Sequence, residues 1–390
     1  MHLMVVLDDK LSDWEAKGEL LRGYFNPDGI FGKMTIVSLI HDAPSSHTVS
    51  LLAYPAKAEH LSLEFDRLNI AMRTFGLNSA LLKPLFAPLF KIAKDAQPDL
   101  IRCFGESLGT AAANFIKSEL NIPYVVSLHQ TPAPYIVDRY ASVKDRIWRK
   151  MVARHVRRAL KTADGIIVVY SPILEYLPKP ARAHATVIPN IVAPPAPLKT
   201  QPAPDIPAAG FKVLWISRLI PGREPFPIIK AISKLENVSL TLVGGGPLRT
   251  EIERLIETLG ISDRVQIIPS MNNADLINEI PAYDVMALRT HYQEISKPIM
   301  EAGLAGLPVI INREPCARLP EYEGLPITFV EDTEKGYAEA IKKFQTSVDY
   351  RIEISNDFKN QAWLRWNPRT LGKRTAEFLM AAIHSKGQTR

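Results

Sequence analysis

Short, almost uninterrupted apolar runs alternate with stretches of helical periodicity in two successive blocks, and this restricts the chain's fold more than any other feature. In the first block the runs are His2 to Leu7, Thr35 to Leu39, Leu100 to Cys103, Tyr124 to Leu128, Gly165 to Tyr170 and Thr186 to Ile188; in the second they are Lys212 to Ile216, Ser239 to Val243, Val265 to Ile268, Asp284 to Ala287 and Val309 to Ile311. A strand without polar alternation is buried on both faces, and strands separated by helices pair in parallel. The pattern therefore predicts an α/β chain with two doubly wound parallel sheets, facing each other across a cleft. Between the blocks, "APPAPLKTQPAPDIP" from Ala193 to Pro207 is too rich in proline for a core element and reads as a semi-rigid linker. The predicted layout is a domain over 1–192, a linker over 193–208, a domain over 209–365 and a C-terminal helix over 366–390, with packing back onto the first domain left open. With 390 residues, 46% hydrophobic and 23% charged, the chain suits two such domains.

Two cysteines, Cys103 and Cys316, are too few for a disulfide framework or a thiolate metal site, which points to a reducing compartment and by default to the cytoplasm. The apolar stretch Leu3 to Leu7 has the length of a strand and runs into Asp8 and Asp9, unlike a signal peptide or a membrane span. The formal net charge of +6 is concentrated in Lys144 to Lys161, "KDRIWRKMVARHVRRALK", which has eight Lys or Arg against one Asp. Its apolar residues, among them Val156, Ala159 and Leu160, recur at helical spacing. Two readings stand for this segment: a core-packed helix with a solvated basic face, or a surface for peripheral contact with anionic membrane. No zinc pattern or aromatic-basic interleaving supports nucleic acid binding.

Ligands of open α/β sheets bind at the carboxyl ends of strands. "KVLWISRLIPGREP" places Arg218 and Arg223 there, where guanidinium groups offer forked hydrogen bonds to phosphate; two surface arginines in a loop are an equal alternative. "LTLVGGGPLRTEIERL" has Gly244, Gly245 and Gly246 between a strand and a helix, but Arg249 stands where a dinucleotide fingerprint needs its third glycine, so a tight structural turn is the stronger reading. Lys17, Gly18 and Glu19 follow the first strand, and His129 ends "YVVSLH" as a candidate substrate contact or a structural histidine. In "RTHYQEISKPIMEAGLAGLPVIIN", Ser296 suits an N-cap, Pro298 the first helical turn and Gly306 a left-handed C-cap. Glu294 then precedes a short helix and Glu301 lies one turn inside it, beside a helix start that would attract an anion near Lys297. A capped helix with a solvated Glu301 is the plainer reading of that fragment alone.

In this order the pieces resemble the group 1 (family 4-like) retaining glycosyltransferases, whose fold is GT-B: two Rossmann-like domains. "VIPNIV" at Val187 to Val192 resembles the pre-linker signature, "ISRLIPGREP" the phosphate-binding Arg and Lys loop, "LVGGGPLRTEIERLIETLGISDRVQII" the central βαβ unit and "EAGLAGLPVI" the end of the two-glutamate motif. The resemblance is strongest from Val213 to Ile311.

It implies transfer of a sugar from a UDP- or GDP-linked donor to a carbohydrate or lipid-linked acceptor, in cell-surface polysaccharide, lipopolysaccharide or glycolipid synthesis. Neither a metal nor a cofactor is implied, since no Asp-x-Asp motif is present and positive side chains can stabilise the departing diphosphate. Residue by residue, Arg218 would bind the diphosphate with Arg223 in the position usually held by lysine. Glu301 would hold the ribose, the backbone at Ile295, Ser296 and Lys297 the sugar or diphosphate, and His129 the transferred sugar; Gly18 and Gly246 join the donor-binding set. Two departures stand out. The family's first glutamate lies eight positions before its second, which puts Gln293 there and Glu294 one step late, and Pro269 replaces the usual glycine beside the base. A GT-B sugar-nucleotide epimerase and a non-catalytic sugar-nucleotide binder are the alternatives.

Overall fold

The computed structural model describes residues 1–18, 20–64, 83–130, 143–194 and 210–385, with the backbone alone for 83 and 143–152. Most of the expected linker, and Glu19, lie outside the described residues. The chain forms two compact units, Met1–Ile191 together with Arg369–Arg390, and Val192–Pro368.

The first unit is built on seven parallel strands: β1 (His2–Leu7), β2 (Lys33–Ser38), β3 (Lys57–Ser62), β4 (Leu100–Phe104), β5 (Tyr124–Leu128), β6 (Gly165–Val168) and β7 (Ala185–Val187). Their spatial order is β3-β2-β1-β4-β5-β6-β7. The chain winds outward from β1 to β3, returns to β4 beside β1 and winds out the other way, so the sheet's switch point lies between β1 and β4. Every residue of β1, β4, β5 and β6 is buried, as strands covered by helices on both faces must be. Strand β3, "KAEHLS", has no counterpart in the apolar pattern; it is a half-exposed edge strand whose Lys57 and Glu59 suit a border with water.

Helix Leu108–Leu120 starts at Ser107, whose Oγ accepts the Gly109 N–H at 3.1 Å. The basic segment forms helix Val143–Thr162, and in its described part Val156, Ala159 and Leu160 are buried while Arg154, Arg157, Arg158 and Lys161 are exposed. The final helix, Pro368–His384, belongs to this unit: Phe378 lies where a side chain at Gly165 would meet it at 2.7 Å, and Arg374 Nη2 donates to the Val187 carbonyl at 3.1 Å.

The second unit holds six parallel strands, β8 (Phe211–Ile216), β9 (Val238–Val243), β10 (Val265–Ile268), β11 (Val285–Leu288), β12 (Val309–Asn312) and β13 (Thr328–Val330), in the order β10-β9-β8-β11-β12-β13. Its switch point lies between β8 and β11. The three-residue β13 was too short to register in the apolar pattern. Helix Lys297–Ala305 is buried from Ile299 onward and packs against helix Val348–Trp366 so closely that a Cβ on Gly303 would come within 2.9 Å of both Ala362 and Phe358. Gly306 takes the left-handed cap at φ 86°, and the Leu307 N–H reaches the Ala302 carbonyl at 2.8 Å, which ends the helix as the sequence predicts. Both sheets are Rossmann-like.

Candidate functional site

The loops leaving β8 and β11, the two strands beside the switch point, carry most of the charged candidates of the second unit. Arg218, two residues past β8, is exposed, and its side chain makes no hydrogen bond or ion pair among the described residues. Arg223, five residues on, is held instead. Its Nη2 donates to Glu294 Oε1 at 2.5 Å, with both side chains less than one-fifth exposed, and its guanidinium lies 4.8 Å from the centre of the Tyr292 ring. Charge-assisted bonds of this kind are worth about 1.5–3 kcal/mol. Burial pushes the Glu294 carboxyl above its ordinary range, and the positive charges of Arg223 and Arg218 offset this in part. Both arginines and Glu294 thus share one electrostatic neighbourhood. Gln293, next in the chain, is half-buried and makes no hydrogen bond among the described residues.

Ser296 occupies the N-cap position of helix Lys297–Ala305, but its side chain does not cap, and the Ile299 N–H bonds to the Ser296 carbonyl at 3.1 Å. The expected anion-binding start of this helix is correspondingly narrower, since Pro298 has no N–H and that of Ile299 is engaged. Ile295 is buried and Lys297 exposed. Beneath them Tyr322, itself buried, donates to the Glu294 carbonyl at 3.4 Å, which fixes the loop against the helix start. Glu301 is 3% exposed rather than solvated, and Asn273 Nδ2 approaches its Oε1 at 3.5 Å. That overturns the plain reading of a surface carboxylate.

Gly246 follows β9 at φ 156°, and an added Cβ would fall 2.3 Å from the Leu219 carbonyl oxygen; at Gly244, φ 145°, it would fall 1.8 Å from that of Ser217. The glycines let this turn lie directly on the backbone that carries Arg218, and Leu219 N–H donates to the Gly245 carbonyl at 2.9 Å. Pro269, exposed just past β10, has its carbonyl 3.1 Å from where a Cβ of Gly245 would be. The tight-turn reading of these glycines therefore holds, in a turn that borders the arginine loop.

Gly18 and His129 belong to the first unit. Gly18 is the left-handed C-cap of helix Leu11–Lys17 at φ 64°, a local reason for glycine there. His129 follows β5; its Nδ1 lies 2.9 Å from Asn190 Oδ1 and its ring stacks on Phe104, 5.6 Å between centres.

Several residues that hold the site together carry no motif. Arg289, the first residue past β11, forks onto Asp332 at 2.7 and 2.8 Å and also pairs with Glu224. Burial would lower the Arg289 pKa, but the Asp332 and Glu224 carboxylates raise it. Glu224 in turn accepts the Gly222 N–H at 2.9 Å, and the Gly222 carbonyl accepts the His291 N–H at 2.8 Å. Fully buried Asn312 closes the other side, accepting from the Thr290 N–H and donating to the Thr290 carbonyl, each at 2.8 Å. The two loops are thus tied together by backbone and side chain. The available signal was the position of Arg289 at a strand's carboxyl end; its partners lie 43 and 65 residues away.

Comparison with known proteins bears on the same two units. Residues 35–194 match the model of glycosyltransferase family 4, and residues 199–359 that of glycosyl transferases group 1. The lipopolysaccharide core biosynthesis glycosyltransferase LpsD of Rhizobium meliloti is 31% identical over 122 residues, 30% of this chain and 35% of that protein. The 2-deoxystreptamine glucosyltransferase of Streptomyces kanamyceticus is 24% identical over 251 residues, 60% of this chain and 64% of that one. The chain therefore spans less than two thirds of either relative's length. A crystal structure of HepE from Anabaena in complex with UDP superimposes with a TM-score of 0.71 at 17% identity, covering 98% of this chain and 100% of that one. A glycosyltransferase from Rickettsia africae gives 0.70 at 13%, covering 100% and 99%. Identities this low speak for the fold alone. With one family model matching residues 35–194 and another residues 199–359, the chain belongs to the group 1 glycosyltransferases.

Proposed function

We propose that the protein is a retaining, metal-independent glycosyltransferase that moves a sugar from a nucleoside diphosphate sugar to an acceptor in cell-surface polysaccharide or glycolipid synthesis. The observation that carries this reading is an exposed arginine, Arg218, with no ion pair among the described residues, at the switch point of a parallel sheet and beside the Arg223–Glu294 pair. Such a position suits a dianionic leaving group. In this reading Arg218 and Arg223 stabilise the diphosphate as its charge develops, which is the role a metal would otherwise fill. Glu301 holds the ribose, and the backbone at Ile295, Ser296 and Lys297 meets the diphosphate or sugar. Glu294 or Gln293 takes the sugar hydroxyls, and Gly246 and Pro269 border the nucleotide; in the first unit Gly18 and His129 are assigned to substrate. The acceptor attacks on the face the diphosphate leaves, so no side-chain nucleophile is required.

Solved HepE structures with UDP and with UDP-glucose favour a UDP-sugar, with GDP as the other base to compare. LpsD, named for lipopolysaccharide core biosynthesis, favours a cell-surface acceptor. Thermal unfolding with UDP, GDP and their sugars tests the reading, because a ligand of the folded state at a hundred times its Kd adds about 2.7 kcal/mol of stability. One diphosphate is expected to raise the midpoint by several degrees, and none doing so would sink the proposal. Donor consumption that requires an acceptor and survives EDTA is the expected activity. Consumption without any acceptor would indicate an epimerase, and binding without consumption a non-catalytic binder.

Among the described residues no helix is long and apolar enough to cross a membrane. The exposed row Arg154, Arg157, Arg158 and Lys161 lines one surface pocket, and we assign to it peripheral contact with an anionic membrane on the cytoplasmic side. Sedimentation with phosphatidylserine vesicles is expected at low salt and is expected to vanish at high salt, as screening requires. Binding that persists when Arg154, Arg157 and Arg158 all become Gln would assign the contact elsewhere.

A further inference from the structure

Arg102 lies in the middle of β4, 6% exposed, and no step above uses it. Its Nε donates to Ser127 Oγ at 3.0 Å, and its Cζ lies 4.7 Å from the centre of the Phe104 ring. Its Nη1 is buried with no acceptor, and among the described residues no carboxylate pairs with it. Burial lowers its pKa only to about 10, so it stays charged at neutral pH. A buried charge without a partner is costly, and apolar side chains of similar size are often as good or better for stability. Folding alone therefore gives no reason for an arginine here.

Its surroundings supply one. In the β4–β5 register Arg102 stands opposite Val125, yet its guanidinium reaches Ser127, two residues further toward the carboxyl edge. There it lies under Phe104, which stacks on His129 and lies 6.0 Å from Tyr24 between ring centres. Tyr24 comes from the crossover after β1, Phe104 from β4 and His129 from the end of β5. The crossover after β1 and the end of β4 flank the switch point between β1 and β4, where a sheet of this kind receives its ligand, and β5 is the next strand beyond β4.

We propose that Arg102 is an oxyanion contact of the first unit, so that the substrate received at this sheet, which the glycosyltransferase reading makes the acceptor, carries a phosphate or a carboxylate. The guanidinium would complete with the ligand the pairing that no described residue supplies.

The test needs no turnover. Thermal midpoints of Arg218→Ala and of the Arg218→Ala, Arg102→Met double variant are compared with and without tens of millimolar inorganic phosphate, and separately with glucuronate. Any anion held by the second unit is then common to both proteins. The double variant is expected to melt at the same or a higher temperature than Arg218→Ala alone and to lose most of the anion-induced shift; Arg102→Lys, which keeps the charge but not the fork, is expected to retain part of it. A shift with phosphate alone identifies a phosphorylated acceptor, and one with glucuronate alone an acidic sugar. An unchanged anion response in the double variant, or no response in Arg218→Ala itself, would overturn the proposal. The UDP-induced shift of Arg102→Met is read in parallel: its persistence leaves the glycosyltransferase reading intact when the anion site fails, and its absence from the parent protein strikes that reading instead.

Discussion

Arg218→Ala is expected to fold as the parent protein does and to lose roughly 10²-fold or more in turnover. The first half follows from exposure: Arg218 makes no ion pair among the described residues, and removing such a side chain usually changes stability by no more than about 0.5 kcal/mol. The second follows from location, since a fixed positive charge at the end of β8 acts where a diphosphate would take up charge as the glycosidic bond breaks. Arg223 is less clean as a test. Its removal would leave Glu294 without its 2.5 Å partner in a site where burial already raises that carboxyl, so any lost activity would mix a missing cation with a rearranged anion. Steady-state turnover at saturating donor, with circular dichroism and thermal midpoints as controls, decides the matter, and near-parental turnover would remove Arg218 from the site.

Glu294→Gln is expected to lower turnover by about ten- to a hundredfold, the rate equivalent of the 1.5–3 kcal/mol carried by a charge-assisted hydrogen bond. Gln293→Ala is expected to matter little. The structure makes this sharper than spacing does, because it is Glu294 that pairs with Arg223 and feels the charge of Arg218, while Gln293 makes no hydrogen bond among the described residues. Two roles for Glu294 remain separable by affinity. If it holds the sugar hydroxyls, Glu294→Gln weakens the nucleotide sugar and leaves the free nucleoside diphosphate alone. If it acts by aiming Arg223, both ligands weaken together. A larger loss in Gln293→Ala than in Glu294→Gln would reverse the assignment. Glu301→Ala should impair donor binding in either case, since Glu301 is buried on the helix itself, and a harmless Glu301→Ala would sink the placement of the donor in this unit.

What the sequence by itself determined is what local patterns encode. The unbroken apolar runs of β1, β5 and β11 specify strands buried on both faces, and Gly306 followed by Pro308 specifies where a helix must stop, because burial and capping are settled within a few residues of the chain. Arg218 and Arg223 were legible for the same reason, as cations just past a strand. Tertiary structure decided the rest. The apolar pattern could not reveal β3, whose polar residues suit an edge, nor β13, which is three residues long. Whether Gln293 or Glu294 faces Arg223 depends on how two loops 71 residues apart meet, and a one-residue difference there leaves no trace in periodicity. The lack of a carboxylate partner for Arg102 among the described residues is equally non-local. A strand residue announces which face it takes, but whether a charge on that face finds a partner is set by the side chains that parallel crossovers bring in from β1 and β5, since such crossovers join strands far apart in the chain.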